Sequence, residues 1–164
     1  MPSAAATALA AVLAALAAAG PVRADPKLLP PQEAFRLSAR ALDPRTLEAR
    51  FSITDGYYMY REKMKFALDP GMEEVAVALP PGKVKEDQFF GKVETYRGEV
   101  VVRVPLPEAA AGKPVVLVTD SQGCADAGVC YPATRQKLTL APPEPGKGPG
   151  PVVEATPRKK NWFN

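Results

Sequence analysis

The sequence contains no histidine and only two cysteines among its 164 residues. A Ser-His-Asp or Cys-His nucleophile needs histidine as its base, and a structural zinc site needs four Cys or His ligands. Both kinds of site are therefore excluded. Aromatic residues make up only 7%, and the formal net charge is only +3, with basic and acidic residues interspersed. Because nucleic-acid binding needs a basic stripe with interleaved aromatics, no nucleic-acid partner is expected.

Long hydrophobic runs are also scarce, and the one that stands out lies near the N-terminus. Residues 1–24 hold twelve alanines, with an uninterrupted apolar run over 8–19. This run is short for a membrane helix, which needs about 20 residues. Gly20 and Pro21 break the run, and 22–24 have the small-residue pattern of a cleavage site. We predict a signal peptide over residues 1–24 and an exported mature chain; a retained membrane anchor is the alternative.

Proline and glycine are abundant, with 19 and 12 residues, which disfavours long helices and indicates many turns. Residues 141–164 alone hold six prolines and three glycines and end in a basic-aromatic segment. Such a composition is typical of an extended linker or tail. We therefore predict one folded domain over residues 25–140 and a tail over 141–164.

Within the folded part, apolar residues recur with a period of two, the pattern of half-buried strands. The predicted strands lie at 35–39, 47–53, 75–79, 100–104, 115–118 and 138–140. Residues 32–34 are also compatible with a short helix before the first strand. About seven short strands separated by turns indicate an all-β domain, an immunoglobulin-like antiparallel β-sandwich. A small closed barrel is the alternative.

The two cysteines are the only residues that offer redox chemistry. Cys124 and Cys130 are separated by five small or acidic residues and follow a predicted strand, which places both near one end of a hairpin. A disulfide is geometrically reasonable there. In exported domains a lone pair is often structural. However, closing so short a loop stabilises the fold by only about 2 kcal/mol. A bridge at the rim of a sandwich is also accessible to exchange. Both interpretations stay open.

The negative charge between the cysteines is expected to lower the reactivity of their thiols. No Lys or Arg lies between them, whereas Asp126 does. A neighbouring carboxylate disfavours the thiolate, which is the nucleophilic form of cysteine. We therefore expect the thiols to be poor nucleophiles until a partner activates them.

Two aromatic groups could lie near the sulfurs. Phe89 and Phe90 interrupt an otherwise polar segment, 85–92, either as anchors to the core or as a lid over a disulfide. Tyr57, Tyr58 and Tyr60 follow the turn at Asp55-Gly56. They are either ordinary strand residues or hydroxyl groups that orient a partner at the sulfurs.

Four segments together resemble one known family. They are 55–61 (DGYYMYR), 86–92 (EDQFFGK), 94–97 (ETYR) and 122–132 (QGCADAGVCYP). In this order they are similar to the N-terminal periplasmic domain of the bacterial thiol:disulfide interchange protein DsbD. The resemblance implies an immunoglobulin-like sandwich, in agreement with the strand pattern.

The resemblance also implies a redox relay. Electrons would come from cytoplasmic thioredoxin through a membrane domain and a thioredoxin-like domain of DsbD type. This domain would pass them to thioredoxin-like periplasmic proteins such as DsbC, DsbG and CcmG. By motif match, Cys130 would form the mixed disulfide with the partner and Cys124 would resolve it.

By the same match, a cap loop covers the sulfurs, with Phe89 as the ring over them. Its residues are Asp87, Gln88, Phe89, Phe90 and Gly91. Four more residues are expected to support the site: Tyr58, Tyr60, Asp126 and Tyr131. The sequence departs from the commoner family pattern at Gln88, Phe90 and Ala133, where an acid, a tyrosine and a second proline are frequent. These departures concern the hydrogen bonding of the cap more than the redox chemistry.

No hydrophobic stretch follows Leu140, so the membrane and thioredoxin-like domains of the family are not in this sequence. The chain is expected to be either a stand-alone relative or a fragment of a longer protein. We predict a thiol–disulfide oxidoreductase module without metal or organic cofactor. Two alternatives remain: a non-catalytic interaction domain with a structural disulfide, and a Cu(I) carrier that uses both cysteines and a methionine such as Met59 or Met64.

Overall fold

The computed structural model describes residues 27–69, 71 and 73–155. One short helix, α1 (Pro31–Ala34), precedes the first strand. The strands are β1 (Phe35–Asp43), β2 (Thr46–Ile53), β3 (Tyr57–Tyr60), β4 (Lys65–Asp69), β5 (Glu73–Glu74), β6 (Lys83–Asp87), β7 (Gly91–Tyr96), β8 (Glu99–Pro105), β9 (Val115–Ser121), β10 (Gly123–Ala125), β11 (Val129–Cys130), β12 (Thr134–Leu140) and β13 (Val153–Glu154). Two single 3₁₀ turns lie at Arg61–Lys63 and Glu108–Ala110. The predicted signal peptide falls outside the described residues.

The strands form three antiparallel sheets. Sheet A has the order β13-β1-β2-β8, sheet B the order β11-β10-β3-β7-β6, and sheet C the order β12-β9-β4-β5. The prediction of an antiparallel all-β domain is therefore confirmed. Within the described residues, no helix has the length and apolar character that crossing a membrane requires.

The main core lies between sheets A and C and follows from alternation along the strands. In β2 every second residue is buried, from Leu47 to Ile53. The residues opposite them in β1 and β8 are also buried, because paired residues of antiparallel strands share a face. Phe51 meets Phe66 of sheet C edge to face, with ring centroids 6.5 Å apart. This contact joins the two layers.

Sheet B separates the main core from a second, smaller cluster. All four residues of β3 are buried. Tyr57 and Met59 belong to the main core, whereas Tyr58 and Tyr60 pack with Cys124 and other residues of the small cluster. Because side chains alternate across a strand, β3 serves one cluster with each face. The cysteine pair thus has its own packed environment, apart from the core that stabilises the sandwich.

The predicted strand at 75–79 is wrong. In this part of the chain, strand pairing with β4 is limited to Glu73–Glu74. One further hydrogen bond follows, from Val75 N–H to Phe66 C=O. The side chains still alternate between partly buried and exposed, which produced the strand pattern in the sequence. The carbonyl groups of Leu79 and Pro80 instead accept hydrogen bonds from the guanidinium of Arg61, at 3.1 and 3.0 Å. The side chain of Arg61 thus satisfies these two carbonyl groups in place of a neighbouring strand.

Part of the tail predicted over 141–164 pairs with sheet A, at residues 150–155. Gly150 N–H donates to Ala41 C=O at 2.8 Å, and Ala155 N–H donates to Leu37 C=O at 3.0 Å. Between these bonds β13 pairs with β1. The edge of β1 has backbone groups that need partners, and the extended tail supplies them.

Candidate redox site

Cys124 and Cys130 form a disulfide across the β10–β11 hairpin, as the predicted hairpin position allows. The two residues are directly opposite each other, and the flanking Tyr131 N–H donates to Gly123 C=O at 3.0 Å. They are therefore a non-hydrogen-bonded pair, the type in which antiparallel strands bring Cα atoms closest. Their Cα atoms are 4.0 Å apart. The hairpin register therefore places the two cysteine side chains next to each other.

The two cysteines differ in accessibility. Cys124 is fully buried, whereas Cys130 is partly exposed. Cys130 lies in β11, which is an edge strand of sheet B. In a non-hydrogen-bonded pair the backbone N–H and C=O of each residue point away from the paired strand, so those of Cys130 point outward. An incoming chain can therefore reach Cys130 more easily than Cys124.

The hydroxyl group of Tyr60 lies close to both sulfurs. Its hydroxyl oxygen lies 3.1 Å from Cys124 Sγ and 3.7 Å from Cys130 Sγ. Tyr58 lies directly opposite Cys124, and alternation puts Tyr60 on the same face. Both tyrosines are therefore buried strand residues, and Tyr60 also brings its hydroxyl group to the sulfurs.

Asp87 is a buried carboxylate behind the two tyrosines. Its Oδ2 accepts hydrogen bonds from the hydroxyls of Tyr58 and Tyr60 at 2.8 and 3.0 Å. Its Oδ1 accepts the backbone N–H groups of Phe89 and Phe90 at 2.9 and 3.2 Å. Burial alone raises the pKa of Asp87, but these hydrogen bonds outweigh burial and lower the pKa to about 2. The group is thus a buried anion at neutral pH.

The direction in which Tyr60 donates its single hydroxyl proton determines whether its oxygen can accept a hydrogen bond from Cys124. An ionised carboxylate can only accept hydrogen bonds, so this proton is donated to Asp87. Burial and the hydrogen bonds with Tyr58 and Asp87 raise the pKa of Tyr60, which keeps it neutral. The free lone pair of its oxygen then faces Cys124 Sγ. After reduction this oxygen can accept the S–H proton, so the arrangement favours the thiol of Cys124 over its thiolate.

Two cations flank the ring of Tyr58. Lys85 Nζ is 3.8 Å and Arg97 Cζ 5.1 Å from the ring centroid, both within the range of cation–π attraction. Lys85 Nζ also lies 3.4 Å from Asp87 Oδ2. Burial lowers the pKa of Lys85, but Tyr58 and Asp87 raise it by more. These cations partly compensate the buried negative charge.

The expected electrostatic effect of Asp126 needs correction. Its carboxylate does not stand alone beside the cysteines, because Arg97 binds both of its oxygens, at 3.0 and 2.6 Å. These hydrogen bonds lower the pKa of Asp126 despite burial. No cation lies between the cysteines in the sequence; the cation that binds Asp126 directly follows β7, 29 residues earlier in the chain.

The cap loop is the turn between β6 and β7, closed by Gly91 with a φ of 69°. The ring of Phe90 packs edge to face on Tyr60, with centroids 5.1 Å apart. The side chain of Phe89 is 55% exposed and that of Phe90 43%. A Cβ placed on Gly128 would lie 3.9 Å from Gln88 Nε2, so the cap loop and the loop between the cysteines are neighbours.

Tyr131 faces away from the small cluster. Its hydroxyl donates to Leu29 C=O at 2.6 Å, and its ring packs near those of Phe35 and Tyr57. Tyr131 thus supports the hairpin from the side of the main core rather than from the side of the sulfurs.

Arg97, Lys85 and Phe35 are the site residues that the sequence analysis did not single out. Arg97 and Lys85 lay within or beside the quoted motifs, but only the register of sheet B brings them to Tyr58.

Among the described residues, no group of three or more His, Cys, Asp or Glu side chains is arranged to hold a metal ion.

Comparison with known proteins agrees with this geometry. The family model described as "Thiol:disulfide interchange protein DsbD, N-terminal" matches residues 25–142. Among curated proteins, DsbD of Ralstonia nicotianae is 51% identical over 124 residues, which cover 74% of this chain and 20% of that protein. DsbD of Escherichia coli is 35% identical over 116 residues, which cover 70% of this chain and 20% of that protein. The chain therefore spans about one fifth of these relatives.

Solved structures are similar as well. The crystal structure of the Neisseria meningitidis DsbD N-terminal domain in the reduced form has a TM-score of 0.63 and 37% identity, covering 75% of this chain and 94% of that one. The complex between the DsbD and PilB N-terminal domains of the same species has a TM-score of 0.59 and 35% identity, covering 74% and 95%. These matches confirm the immunoglobulin-like fold. Together with the family model, they show that this chain belongs to the DsbD N-terminal domain family.

Proposed function

We propose that this domain is a periplasmic thiol–disulfide exchange module that passes reducing equivalents through a reversible Cys124–Cys130 disulfide. The observation that carries this proposal is the asymmetry of the pair. Cys130 lies partly exposed on an edge strand, whereas Cys124 is buried against Tyr60. Exchange needs one sulfur that a partner can reach and a second that stays close enough to displace it.

The reaction transfers two electrons and two protons. The thiolate of Cys130 attacks one sulfur of the partner's disulfide, which forms an intermolecular bridge and releases the other partner sulfur as a thiolate. Cys124 then loses its proton and attacks Cys130 Sγ, which closes the internal disulfide and releases the second partner thiolate. The two partner sulfurs gain the protons. Recharging runs the same steps in reverse, from a membrane electron-transfer protein or domain of DsbD type.

Tyr60 and Asp87 keep Cys124 unreactive until the mixed disulfide has formed. While Tyr60 accepts the S–H of Cys124, that cysteine stays a neutral thiol and a weak nucleophile. Only when the mixed disulfide forms does the reaction require its proton to leave. A domain that must not react at random in an oxidising compartment benefits from this restraint.

The proposed partners are thioredoxin-like periplasmic proteins of the DsbC, DsbG or CcmG type. The apolar side chains of Val129, next to Cys130 in the chain, and of Phe89 and Phe90 in the cap loop are exposed and offer a docking surface. The DsbD N-terminal domain of Neisseria meningitidis forms a complex with the PilB N-terminal domain and was also crystallised in the reduced form. Both facts support a domain that is reduced and that docks on other proteins. A cleaved signal peptide over 1–24 would deliver it to the periplasm.

A direct test mixes the reduced mature chain with an oxidised DsbC-type isomerase. Quenching with an alkylating reagent and mass spectrometry should show the isomerase gaining two thiols as Cys124 and Cys130 lose theirs. Cys124→Ser should accumulate the mixed disulfide, whereas Cys130→Ser should not. Absence of transfer from verified reduced protein would refute the function.

A glutathione titration separates this function from a structural disulfide. A structural bridge has a reduction potential below roughly −300 mV and resists the glutathione pool, whereas a relay must lie near its partners. We expect the Cys124–Cys130 bridge to open in this titration while the fold, followed by circular dichroism, stays intact. A bridge that survives every glutathione ratio would instead mark a non-catalytic interaction domain.

For the cap loop, residues 87–91, we propose that it shields the sulfurs. Phe89→Ala in the reduced protein is expected to speed alkylation of the thiols by a small reagent. Phe90→Ala should do the same, because its ring covers Tyr60 beside the sulfurs. The exposed Val152→Ala, on the tail, serves as the control. Rates equal to the control in both variants would show that neither ring shields the thiols.

A further inference from the structure

The loop between the cysteines is tied to the rest of sheet B by one ion pair. Asp126 follows β10, and its carboxylate binds the guanidinium of Arg97 through two hydrogen bonds of 3.0 and 2.6 Å. Its backbone N–H also donates to Gly56 C=O at 2.8 Å. Paired hydrogen bonds of this kind fix direction as well as distance. Asp126 is therefore held by both its side chain and its backbone.

Arg97 is itself anchored to the strand that carries the tyrosines. The same Nη1 atom that binds Asp126 donates to Tyr57 C=O at 3.1 Å. The guanidinium also lies over the ring of Tyr58, 5.1 Å from its centroid. One side chain thus connects the end of β7, strand β3 and the loop between the cysteines.

This connection matters most when the disulfide is open. Strand β11 has only two residues, and the hairpin bonds that flank it are Tyr131 N–H to Gly123 C=O and Gly128 N–H to Ala125 C=O. Strand β11 is an edge strand that pairs with β10 at only two positions, so few hydrogen bonds hold it in register once the cross-link is open. Once the S–S bond is broken, β10 stays paired with β3, and the contacts of Asp126 hold the turn that leads from β10 to β11.

We propose that Arg97 and Asp126 are a positioning pair, which holds the reduced hairpin so that Cys124 and Cys130 stay opposite each other. The inference rests on the proposed function, since it concerns the reduced state. By limiting the freedom of the open loop, the pair raises the effective concentration of one thiol toward the other. It thereby stabilises the disulfide and speeds resolution of the mixed disulfide.

The test is the equilibrium of the mature chain with glutathione. One protein disulfide and two molecules of reduced glutathione give two protein thiols and one glutathione disulfide. The variants are Arg97→Gln, Asp126→Asn and their combination. An exposed pair contributes about 1 kcal/mol at most, which corresponds to about fivefold. We expect each single variant to lower the effective concentration of the thiols about threefold to fivefold, and the double variant to lower it no further.

The direction of the two shifts separates positioning from simple electrostatics. Without Arg97 the unpaired carboxylate of Asp126 disfavours thiolates, whereas without Asp126 the unpaired guanidinium favours them. An effect through charge alone therefore moves the effective concentration in opposite directions in the two variants. A shared decrease supports positioning, and opposite shifts overturn it.

A conservative variant and a matched control complete the design. Arg97→Lys keeps the positive charge but not the two parallel bonds, so it should also show the decrease. Arg50→Gln removes a similarly exposed ion pair, with Glu99 at 2.9 Å on sheet A, and should leave the equilibrium unchanged. Thermal unfolding of the oxidised forms identifies any variant that fails to fold. Loss of the decrease in Arg97→Lys, or an equal decrease in Arg50→Gln, counts against the pair.

The test also distinguishes this inference from the function it rests on. If the wild-type disulfide cannot be opened by glutathione at any ratio, the proposed function fails. If it opens normally and the Arg97 and Asp126 variants match wild type, the exchange function stands and the positioning role is wrong.

Discussion

At the scale of single residues, the site combines a buried anion with neutral hydroxyl groups. Asp87 is 5% exposed and has a hydrogen-bond donor for each oxygen, which is the condition under which burial of a charge is tolerated. Sequence could name this residue as part of the cap, but it could not show the network. The partners Tyr58 and Tyr60 are 29 and 27 residues away in the chain.

The first prediction concerns stability as a function of pH. The folded pKa of Asp87, about 2, is below its ordinary value of 3.8, so this group stabilises the fold above pH 4 and loses its contribution as the pH falls toward 2. Asp87→Asn should lower the free energy of unfolding at pH 7 by about 1 to 2 kcal/mol, allowing for solvent screening. The difference from wild type should shrink below pH 4. Denaturant titrations at pH 7 and pH 3 measure it.

The control for this prediction is Asp55→Asn, which changes an exposed aspartate in the turn before β3. Its unfolding free energy should differ little from wild type at both pH values. If Asp87→Asn behaved like this control, the hydrogen bonds to Asp87 would contribute nothing to stability.

The second prediction separates the two tyrosine hydroxyls. Both donate to Asp87, but only that of Tyr60 lies within 3.7 Å of the sulfurs. Tyr60→Phe should increase the alkylation rate of reduced Cys124 at pH 7 about fivefold, the equivalent of one ordinary hydrogen bond. Tyr58→Phe should change it much less. Mass spectrometry identifies which cysteine reacts, and equal rates in the two variants would contradict the role given to Tyr60.

At the scale of the element, the β10–β11 hairpin depends on close approach at Gly123. A Cβ there would lie 2.5 Å from Phe35 Cζ and would also collide with the carbonyl oxygen of Tyr58. The absence of a side chain lets β10 lie directly between β3 and the ring of Phe35.

The third prediction follows from this contact. Gly123→Ala should destabilise the fold by about 1 to 3 kcal/mol, as expected for overpacking, and should also slow reoxidation of the dithiol. Gly148→Ala is the matched control, because a Cβ at Gly148 meets no atom within 4 Å. Thermal unfolding and reoxidation kinetics measure the two effects. A Gly123→Ala protein as stable as the control would mean that β10 has room to move.

The strands that alternation predicted well pair with a neighbouring strand along nearly their whole length. Residues 47–53 and 100–104 lie in β2 and β8, where buried faces and paired backbones coincide. Alternation failed at 75–79, because partly buried and exposed side chains alternate there without a paired strand, and the guanidinium of Arg61 binds the carbonyl of Leu79. Composition did not indicate the pairing at 150–155, because an extended proline-rich chain can still pair with an open strand edge. Periodicity reports which face is buried, but it does not report where backbone hydrogen bonds go.

At the scale of the whole molecule, the tail completes sheet A beyond the segment that the family model matches. That match ends at residue 142, whereas backbone bonds from the tail to β1 continue to Ala155. The tail covers the edge of β1, which would otherwise be open to pairing with other chains.

The fourth prediction tests this cover by truncation. A chain of residues 25–142 should fold but should lose roughly 1 to 2 kcal/mol of unfolding free energy relative to 25–155, the contribution of a few net hydrogen bonds. It should also show more self-association in analytical ultracentrifugation. Equal stability and equal sedimentation for the two chains would show that β13 adds nothing to sheet A.

The side chains of strand β3 alternate between two clusters. Tyr58 and Tyr60 pack in the small cluster with Cys124, and Tyr57 and Met59 pack in the main core. Insertion or loss of one residue would exchange the two sets and spoil both at once. Substitutions on one face of β3 can accumulate while the other face stays unchanged, but insertions and deletions within the strand are not tolerated. The spacing from the turn at Gly56 to Tyr60 should therefore be inherited as a fixed unit, whatever happens to the loops around it.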